Sequence, residues 1–333
     1  MNFSILKKSG IYDYKLKPIK SDASFREYFR IDIKRKKEKL LLVNSPNKTE
    51  NNKGYLKVTN ILEKMNLSVP KIINYDLNKG IFLIEDFGLN TYKKSLEQGE
   101  SEYKLYNLAT DVLIHINKNS KKIKKKLPKY NNKKLIDEVL LFLKWYWPFI
   151  YKKNPGKKIT QEFINIWKKL LSKNLNTEQV IVHRDFHIDN LFFLKKRKGL
   201  KSCGLIDFQD AVLGPSSYDL LSLLEDARRD VDDKIIYKMY NKFVKELSQK
   251  QKKIFKKEYE TLAINRHLKV IGIFTRLFLR DKKEIYLKHI PRVWKLIELN
   301  LNSSFLNELN EWINKFFPKK YLELPIYDKK TSF

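Results

Sequence analysis

Hydrophobic and polar positions follow two different periods in the two parts of the chain. Between residues 16 and 46, short apolar runs alternate with charged turns in the segments LKPIK, SFREYFRIDI and KLLLVNSP, which predicts three antiparallel strands. Residues 51–65 repeat apolar side chains at helical spacing, and VPKIINYD and KGIFLIEDFG predict two more strands around a turn at residues 76–80. The first part of the chain therefore predicts the order β-β-β-α-β-β.

Beyond Gly88 the pattern changes to long stretches of helical period. The predicted helices cover residues 100–119, 133–151, 160–173, 218–226, 233–247, 252–278 and 283–302. Three short apolar runs, QVIVH, NLFFL and CGLID, interrupt the helices between residues 179 and 207, and each ends in polar residues. These runs predict strands that deliver polar side chains to a cleft.

The composition limits the class of protein. A chain of 333 residues that is 42% hydrophobic, with 20 Phe, 18 Tyr and 5 Trp, can bury the core of a folded protein with two parts. The single cysteine, Cys203, cannot form an internal disulfide, and no run approaches the roughly 18 apolar residues that span a bilayer. We therefore expect a cytoplasmic protein that does not insert into a membrane.

The net charge of +31 is typical of proteins that bind nucleic acid, anionic lipid or a phosphorylated ligand. The lysines are spread along the chain, often beside asparagine, and they outnumber the arginines. A nucleic-acid groove more often clusters arginine with aromatic residues. We therefore expect no specific nucleic-acid partner and interpret the charge as a compositional drift toward Lys and Asn.

The sequence HRDFHIDN at residues 183–190 carries the clearest chemical signal, and Asp207 follows seventeen residues after Asn190. Transfer of a phosphoryl group needs a carboxylate to orient the attacking hydroxyl and oxygen ligands to hold Mg²⁺ on the phosphates. We predict Asp185 as the catalytic carboxylate and Asn190 and Asp207 as the metal ligands. In the alternative, both aspartates cap turns and His183 is a core histidine, which leaves unexplained why all three predicted functional residues lie at strand ends.

This pattern resembles the aminoglycoside phosphotransferase and choline kinase-like family, a branch of the protein-kinase-like fold. Within it, the chain is most similar to bacterial kinases that phosphorylate the anomeric hydroxyl of N-acetylmuramate and N-acetylglucosamine in cell-wall sugar recycling. The segments that carry the similarity, besides HRDFHIDN, are SDASFREYFR (21–30), FLIEDFG (82–88), IDFQDAVLGP (206–215), YDL (218–220) and RHLKVIGIF (266–274).

The resemblance implies an α+β protein of two lobes that uses ATP and Mg²⁺. The N-terminal lobe, residues 1–88, would bind the nucleotide with a small antiparallel sheet and one helix, and the mainly helical lobe, residues 89–333, would carry catalysis and substrate binding. The adenine would lie against the hinge backbone at residues 84–87, and the phosphates under the turn at residues 20–25. The implied nucleotide-binding residues are Ser21, Asp22, Ala23, Ser24, Arg30, Ile84, Glu85 and Phe87.

Two departures from the wider protein-kinase pattern concern the phosphates. The turn at residues 20–25 has no glycine, and the third predicted strand, LLLVN, lacks the lysine that ordinarily pairs with the α- and β-phosphates and with a helix glutamate. Arg26, Arg30 and Lys48 are the candidates to replace this lysine, and the sequence does not choose between them.

The acceptor is expected to be a neutral or anionic amino sugar, because a protein of this charge would repel polycationic aminoglycosides at long range. Candidate substrate contacts are His187 and Asp189, inside the catalytic motif, and Trp145, beside Tyr146 and Trp147, although neighbouring aromatic residues on a helix are also typical of a core. Two alternatives stay open. One is a kinase of the same fold for choline, ethanolamine, homoserine or an antibiotic, and the other is a basic nucleic-acid or membrane-binding protein whose kinase-like site is degenerate.

Overall fold

The computed structural model describes residues 4–19, 25–34, 39–120 and 127–318. The chain divides into two compact units, one made of Met1–Leu127 and His183–Val212 and the other of Pro128–Val182 and Leu213–Phe333. The predicted α+β class is confirmed, since a sheet dominates the early part of the chain and helices the remainder. The division at Gly88 assigns roles to the two parts and stays a prediction.

An antiparallel sheet of five strands forms the centre of the first unit, in the order β1-β2-β3-β5-β4. The strands are β1 (Tyr14–Ile19), β2 (Glu27–Ile33), β3 (Leu40–Asn44), β4 (Ile72–Asp76) and β5 (Ile81–Glu85). Because alternate side chains of a strand point to opposite faces, Ile31 and Leu42 share a buried cluster with residues of helix α1 (Ser4–Lys8), while Tyr28 and Val43 lie opposite each other on the other face. This second face is the one that bears on the candidate site.

Helix α2 (Asn52–Lys64) follows β3 as the sequence predicts, and it buries Tyr55, Val58 and Leu62. The Asn51 side chain caps it by accepting a hydrogen bond from the Gly54 amide at 2.9 Å. The remaining elements of this unit are α3 (Tyr92–Glu97), α4 (Glu102–Ser120), β7 (Leu191–Phe193) and β8 (Cys203–Leu205). In this unit, the apolar pattern does not predict α1 and α3, because five or six residues are too few to show a helical period.

The second unit contains a strand pair, β6 (Gln179–Val182) with β9 (Val212–Pro215). Its helices are α5 (Asn132–Leu141), α6 (Trp147–Tyr151), α7 (Lys157–Asn174), α8 (Tyr218–Leu224), α9 (Asp233–Phe243), α10 (Gln249–Asp281), α11 (Ile290–Asn300) and α12 (Asn307–Phe316). Within the described ranges, no helix combines the length and the apolar character needed to cross a bilayer.

The prediction of one continuous helix at residues 133–151 is wrong. A π-helical turn, Phe142–Tyr146, separates α5 from α6, and Pro148 lies in the first turn of α6, where its missing amide costs no hydrogen bond. Gly272 of α10 packs against this junction so closely that a Cβ atom would lie 2.4 Å from the carbonyl carbon of Leu141. The long helix is therefore interrupted where another helix backbone approaches it.

A buried histidine of α10 should make the stability of the second unit depend on pH. His267 is fully buried, and its Nε2 donates to Oε2 of Glu225 at 2.7 Å. Burial lowers the pKa of His267 below its ordinary value of 6.5, although Glu225 acts in the opposite direction. Because the unfolded chain then binds the proton more readily, the free energy of unfolding should be retained above about pH 6.5 and fall as the pH decreases below it.

His267→Gln removes this titration and keeps a nitrogen donor for Glu225. Chemical denaturation at several pH values between about 5 and 7 should show a shallower loss of stability in the variant, with a difference of up to about 1.4 kcal/mol for each pH unit of the window. Parallel curves for the two proteins would contradict the assignment.

Candidate active site

The hairpin β7–β8 brings the two predicted metal ligands together. The strands pair antiparallel with Leu191 opposite Leu205, and the amide of Ile206 donates to the carbonyl of Asn190 at 3.2 Å. Asn190 therefore lies opposite Ile206, one residue before Asp207. Residues that are seventeen positions apart in the chain share one end of a hairpin.

The loop before β7 ties Asp185 to the same point. The Nδ2 atom of Asn190 donates to the backbone carbonyl of Asp185 at 3.0 Å, and the amide of His187 donates to the same carbonyl at 3.2 Å. Because the amide nitrogen of Asn190 is used in this way, its Oδ1 is the atom suited to a metal ion. The carbonyl of Asp185 makes these contacts, so its carboxylate is not needed for them.

His183 connects the two halves of the candidate site. Its Nε2 donates to the carbonyl of Ile206 at 2.9 Å, and its Nδ1 accepts a long hydrogen bond, 3.4 Å, from the amide of Asp185. The ring makes edge contacts with Phe186 and Phe208, with centroids at 5.8 and 6.5 Å. The first residue of the motif is therefore a buried brace between the Asp185 loop and the strand that leads to Asp207.

Asp185 and Asp207 are exposed, while the phenylalanine that follows each of them, Phe186 or Phe208, is fully buried. Phe208 also stacks on Tyr55 of α2, with a centroid distance of 5.3 Å and an interplanar angle of 6°. Asp207 itself has a φ of 64°, in the left-handed region that non-glycine residues seldom occupy outside turns and functional sites. Buried rings thus anchor two short segments whose carboxylates reach solvent.

The donor set fits magnesium. Among the residues that the structure describes, no group of three or more His, Cys, Asp and Glu side chains forms a potential metal site. Mg²⁺ is usually held by one or two carboxylates, with water and phosphate oxygens completing its octahedral shell. An amide oxygen from Asn190 and a carboxylate from Asp207 are therefore suitable protein ligands, and these roles stay predictions.

The predicted adenine-binding segment joins β5 to the loop that follows. Ile84 is buried in β5, and the side chain of Glu85 forms an ion pair with Arg197. Phe87 makes an edge contact with Phe192 of β7 at 5.7 Å, so this segment packs directly on the hairpin. Ser21, Asp22, Ala23 and Ser24, predicted to lie against the phosphates, fall outside the described residues.

The three candidates for the missing lysine lie in different surroundings. Lys48 is exposed. Arg30 forms an ion pair with Asp86 and donates to the carbonyl of Gly88 at 3.1 Å, so it braces the predicted adenine-binding segment. Arg26 is buried and lies close to Glu50, with 3.0 Å between Nε and Oε2.

The predicted substrate residues belong to different units. His187 is buried, and its Nε2 lies 3.4 Å from Nδ2 of Asn190; Asp189 forms an ion pair with Lys93 at 3.6 Å. Trp145 belongs to the second unit and is half-buried in the π-helical turn. Its neighbours Tyr146 and Trp147 are core residues of that unit.

Comparisons with known proteins are consistent with this geometry. The model of the phosphotransferase enzyme family matches residues 15–241. The N-acetylmuramate/N-acetylglucosamine kinase of Neisseria meningitidis serogroup B is 31% identical over 293 residues, which cover 84% of each chain. The fold is similar to that of an ADP-bound aminoglycoside phosphotransferase, with a TM-score of 0.57 and 16% identity over 89% of this chain and 95% of the other. It is also similar to a choline kinase of Streptococcus pneumoniae, with a TM-score of 0.58 and 12% identity over 89% and 98% of the two chains.

Proposed function

Because the chain belongs to the phosphotransferase enzyme family, we propose that it is an ATP- and Mg²⁺-dependent kinase that phosphorylates N-acetylmuramate and N-acetylglucosamine at the anomeric hydroxyl. The observation that carries the phosphoryl-transfer chemistry is the hydrogen-bonded frame that joins Asp185, Asn190 and the strand leading to Asp207. The name of the Neisseria relative and its coverage support the choice of acceptor. The ADP in the related aminoglycoside phosphotransferase supports an adenine nucleotide.

Each residue of the hydrogen-bonded frame has a separate role in phosphoryl transfer. Asp185 holds the acceptor hydroxyl by a hydrogen bond and takes its proton as the acceptor oxygen bonds to the γ-phosphorus of ATP, while the bond from that phosphorus to the bridging oxygen breaks and ADP leaves. Asn190 and Asp207 would hold Mg²⁺, which would supply positive charge to stabilise the phosphate oxygens. His183 and the two buried phenylalanine rings keep these groups in place, so little reorganisation is needed during the reaction.

The charge of the protein is consistent with this acceptor. A formal charge of +31 opposes the approach of a polycationic aminoglycoside, whereas it does not oppose a neutral N-acetylated sugar and attracts the carboxylate of N-acetylmuramate. Since long-range charge acts mainly on the rate of encounter, the dependence of kcat/KM on ionic strength should differ between the two sugars.

Incubation with ATP, Mg²⁺ and either sugar should yield one equivalent of ADP and an acid-labile sugar phosphate, which phosphorus NMR identifies as an anomeric phosphate. The methyl glycoside of N-acetylglucosamine is the matched control, because its anomeric oxygen carries no proton and it should give no product. Release of ADP without a sugar phosphate would reject the acceptor. Choline, homoserine and an aminoglycoside, tested in parallel, would identify another acceptor of the same fold.

A further inference from the structure

The second face of the sheet carries a cation beside the position where a strand lysine is missing. Tyr28 pairs with Val43 across β2 and β3, and Arg26, two residues before Tyr28, reaches Ser45, two residues after Val43. The Nε atom of Arg26 donates to Oγ of Ser45 at 3.2 Å. Arg26 therefore lies next to the end of β3, on a neighbouring chain segment.

Besides Ser45, the guanidinium of Arg26 contacts Glu50 and Gln209. Glu50, just before α2, forms the ion pair at 3.0 Å, and its side chain is only 12% exposed. The Nη1 atom of Arg26 donates to Oε1 of Gln209 at 3.0 Å. A planar guanidinium with several fixed donors can bind both groups together, whereas a lysine ammonium lacks this geometry.

Gln209 extends this contact to the predicted metal ligand. Its Nε2 atom donates to Oδ1 of Asp207 at 2.9 Å, while its backbone carbonyl accepts from Nδ2 of Asn51 at 3.2 Å. The amide therefore accepts from Arg26 and donates to Asp207. This hydrogen bond restricts the orientation of the Asp207 carboxylate, whose backbone lies in the left-handed region.

We propose that Arg26, held by Glu50, positions Asp207 through Gln209 and so organises this predicted metal ligand. Arg26 is a positioning residue in this scheme, because it acts on Asp207 through another side chain. Arg30 is engaged with Asp86 and Gly88 instead, and Lys48 is exposed. This inference depends on the proposed metal role of Asp207 and not on the identity of the sugar.

Calorimetric titration of the full chain with ADP tests the proposal. The titration is made once in the presence of Mg²⁺ and once in the presence of EDTA. Gln209→Met keeps the length of the side chain and removes both hydrogen bonds, and Arg26→Lys keeps the charge and removes the planar donor. In both variants the increase in ADP affinity on adding Mg²⁺ should fall about tenfold, the scale of lost contacts around metal ligands. The affinity without Mg²⁺ should stay within about twofold of wild type. Arg280→Lys, which changes an exposed arginine of the second unit, is the matched control.

An unchanged Mg²⁺ effect would overturn the inference. An equal loss of affinity with and without Mg²⁺ would also overturn it, since this result would indicate direct phosphate contact or general damage. Thermal unfolding checks that both variants are folded. If Arg26→Lys does not fold, Gln209→Met, which changes a half-buried side chain, tests the proposal by itself. A protein that gives the expected ADP results but makes no sugar phosphate would contradict the proposed acceptor alone.

Discussion

Asp185→Ala is expected to lower turnover by about 10²–10⁴, the usual contribution of a positioned acid–base group, with little change in ADP affinity. The backbone carbonyl of Asp185 accepts the hydrogen bonds from Asn190 and His187, so removal of the carboxylate leaves these contacts possible. The side chain is exposed at the end of a buried frame, and its replacement creates no cavity. The loss should therefore appear in kcat rather than in nucleotide binding.

Steady-state kinetics with both sugars, together with ADP titration, measure the two effects separately. Asp185→Asn is the closest variant in shape and should be nearly as slow as Asp185→Ala, because an amide cannot take the proton. Asp32→Ala serves as the matched control, since Asp32 is an exposed carboxylate of β2 that pairs with Lys17. Turnover near that of wild type in Asp185→Ala would reject the catalytic role.

Asp207→Ala is expected to abolish the increase in nucleotide affinity that Mg²⁺ produces. Asn190 would then be the one remaining predicted protein ligand, and a neutral amide oxygen binds Mg²⁺ weakly. Alanine also tolerates the φ of 64° poorly, whereas asparagine adopts this conformation readily. Asp207→Asn is therefore the more informative variant, because the substitution removes only the charge. In both variants, the factor by which Mg²⁺ raises the affinity for ADP should fall at least tenfold.

Titration of ADP against increasing Mg²⁺ provides the measurement, and binding with EDTA gives the baseline. A second comparison tests the connection to Gln209. Because Gln209 acts only through Asp207 in the proposed scheme, Asp207→Asn combined with Gln209→Met should bind ADP and Mg²⁺ no more weakly than Asp207→Asn alone. A Mg²⁺ effect of normal size in Asp207→Asn would remove Asp207 from the metal site.

The sequence was sufficient for those parts of the protein that depend on local pattern. Short apolar runs predicted the five strands of the sheet, helical spacing predicted α2, and the runs QVIVH, NLFFL and CGLID predicted the strands near HRDFHIDN and Asp207. The local pattern also explains why the prediction of one continuous helix at residues 133–151 was wrong. The apolar period continues through the junction of α5 and α6, whereas the close approach of Gly272 to this junction comes from a helix distant in the chain and leaves no mark in the local pattern.

The side-chain contacts that hold Asp207 could not be predicted, because they join distant parts of the chain. Arg26 and Gln209 are 183 residues apart, and no spacing rule connects them. From the sequence alone, Arg26, Arg30 and Lys48 were equivalent basic residues near one strand. Burial and partners separate them only in the folded unit. The adjacency of Gln209 to Asp207 in IDFQD was the one local signal available.

Gly204, in β8, lies so close to the segment predicted to hold adenine that a Cβ atom there would be 2.6 Å from Cε2 of Phe87. The ring of Phe87 thus rests against the same short strand that leads to Asp207. Even the smallest side chain at position 204 would have to displace this ring or bend the strand. A side chain at position 204 would therefore shift the segment predicted to hold adenine relative to the strand that leads to Asp207.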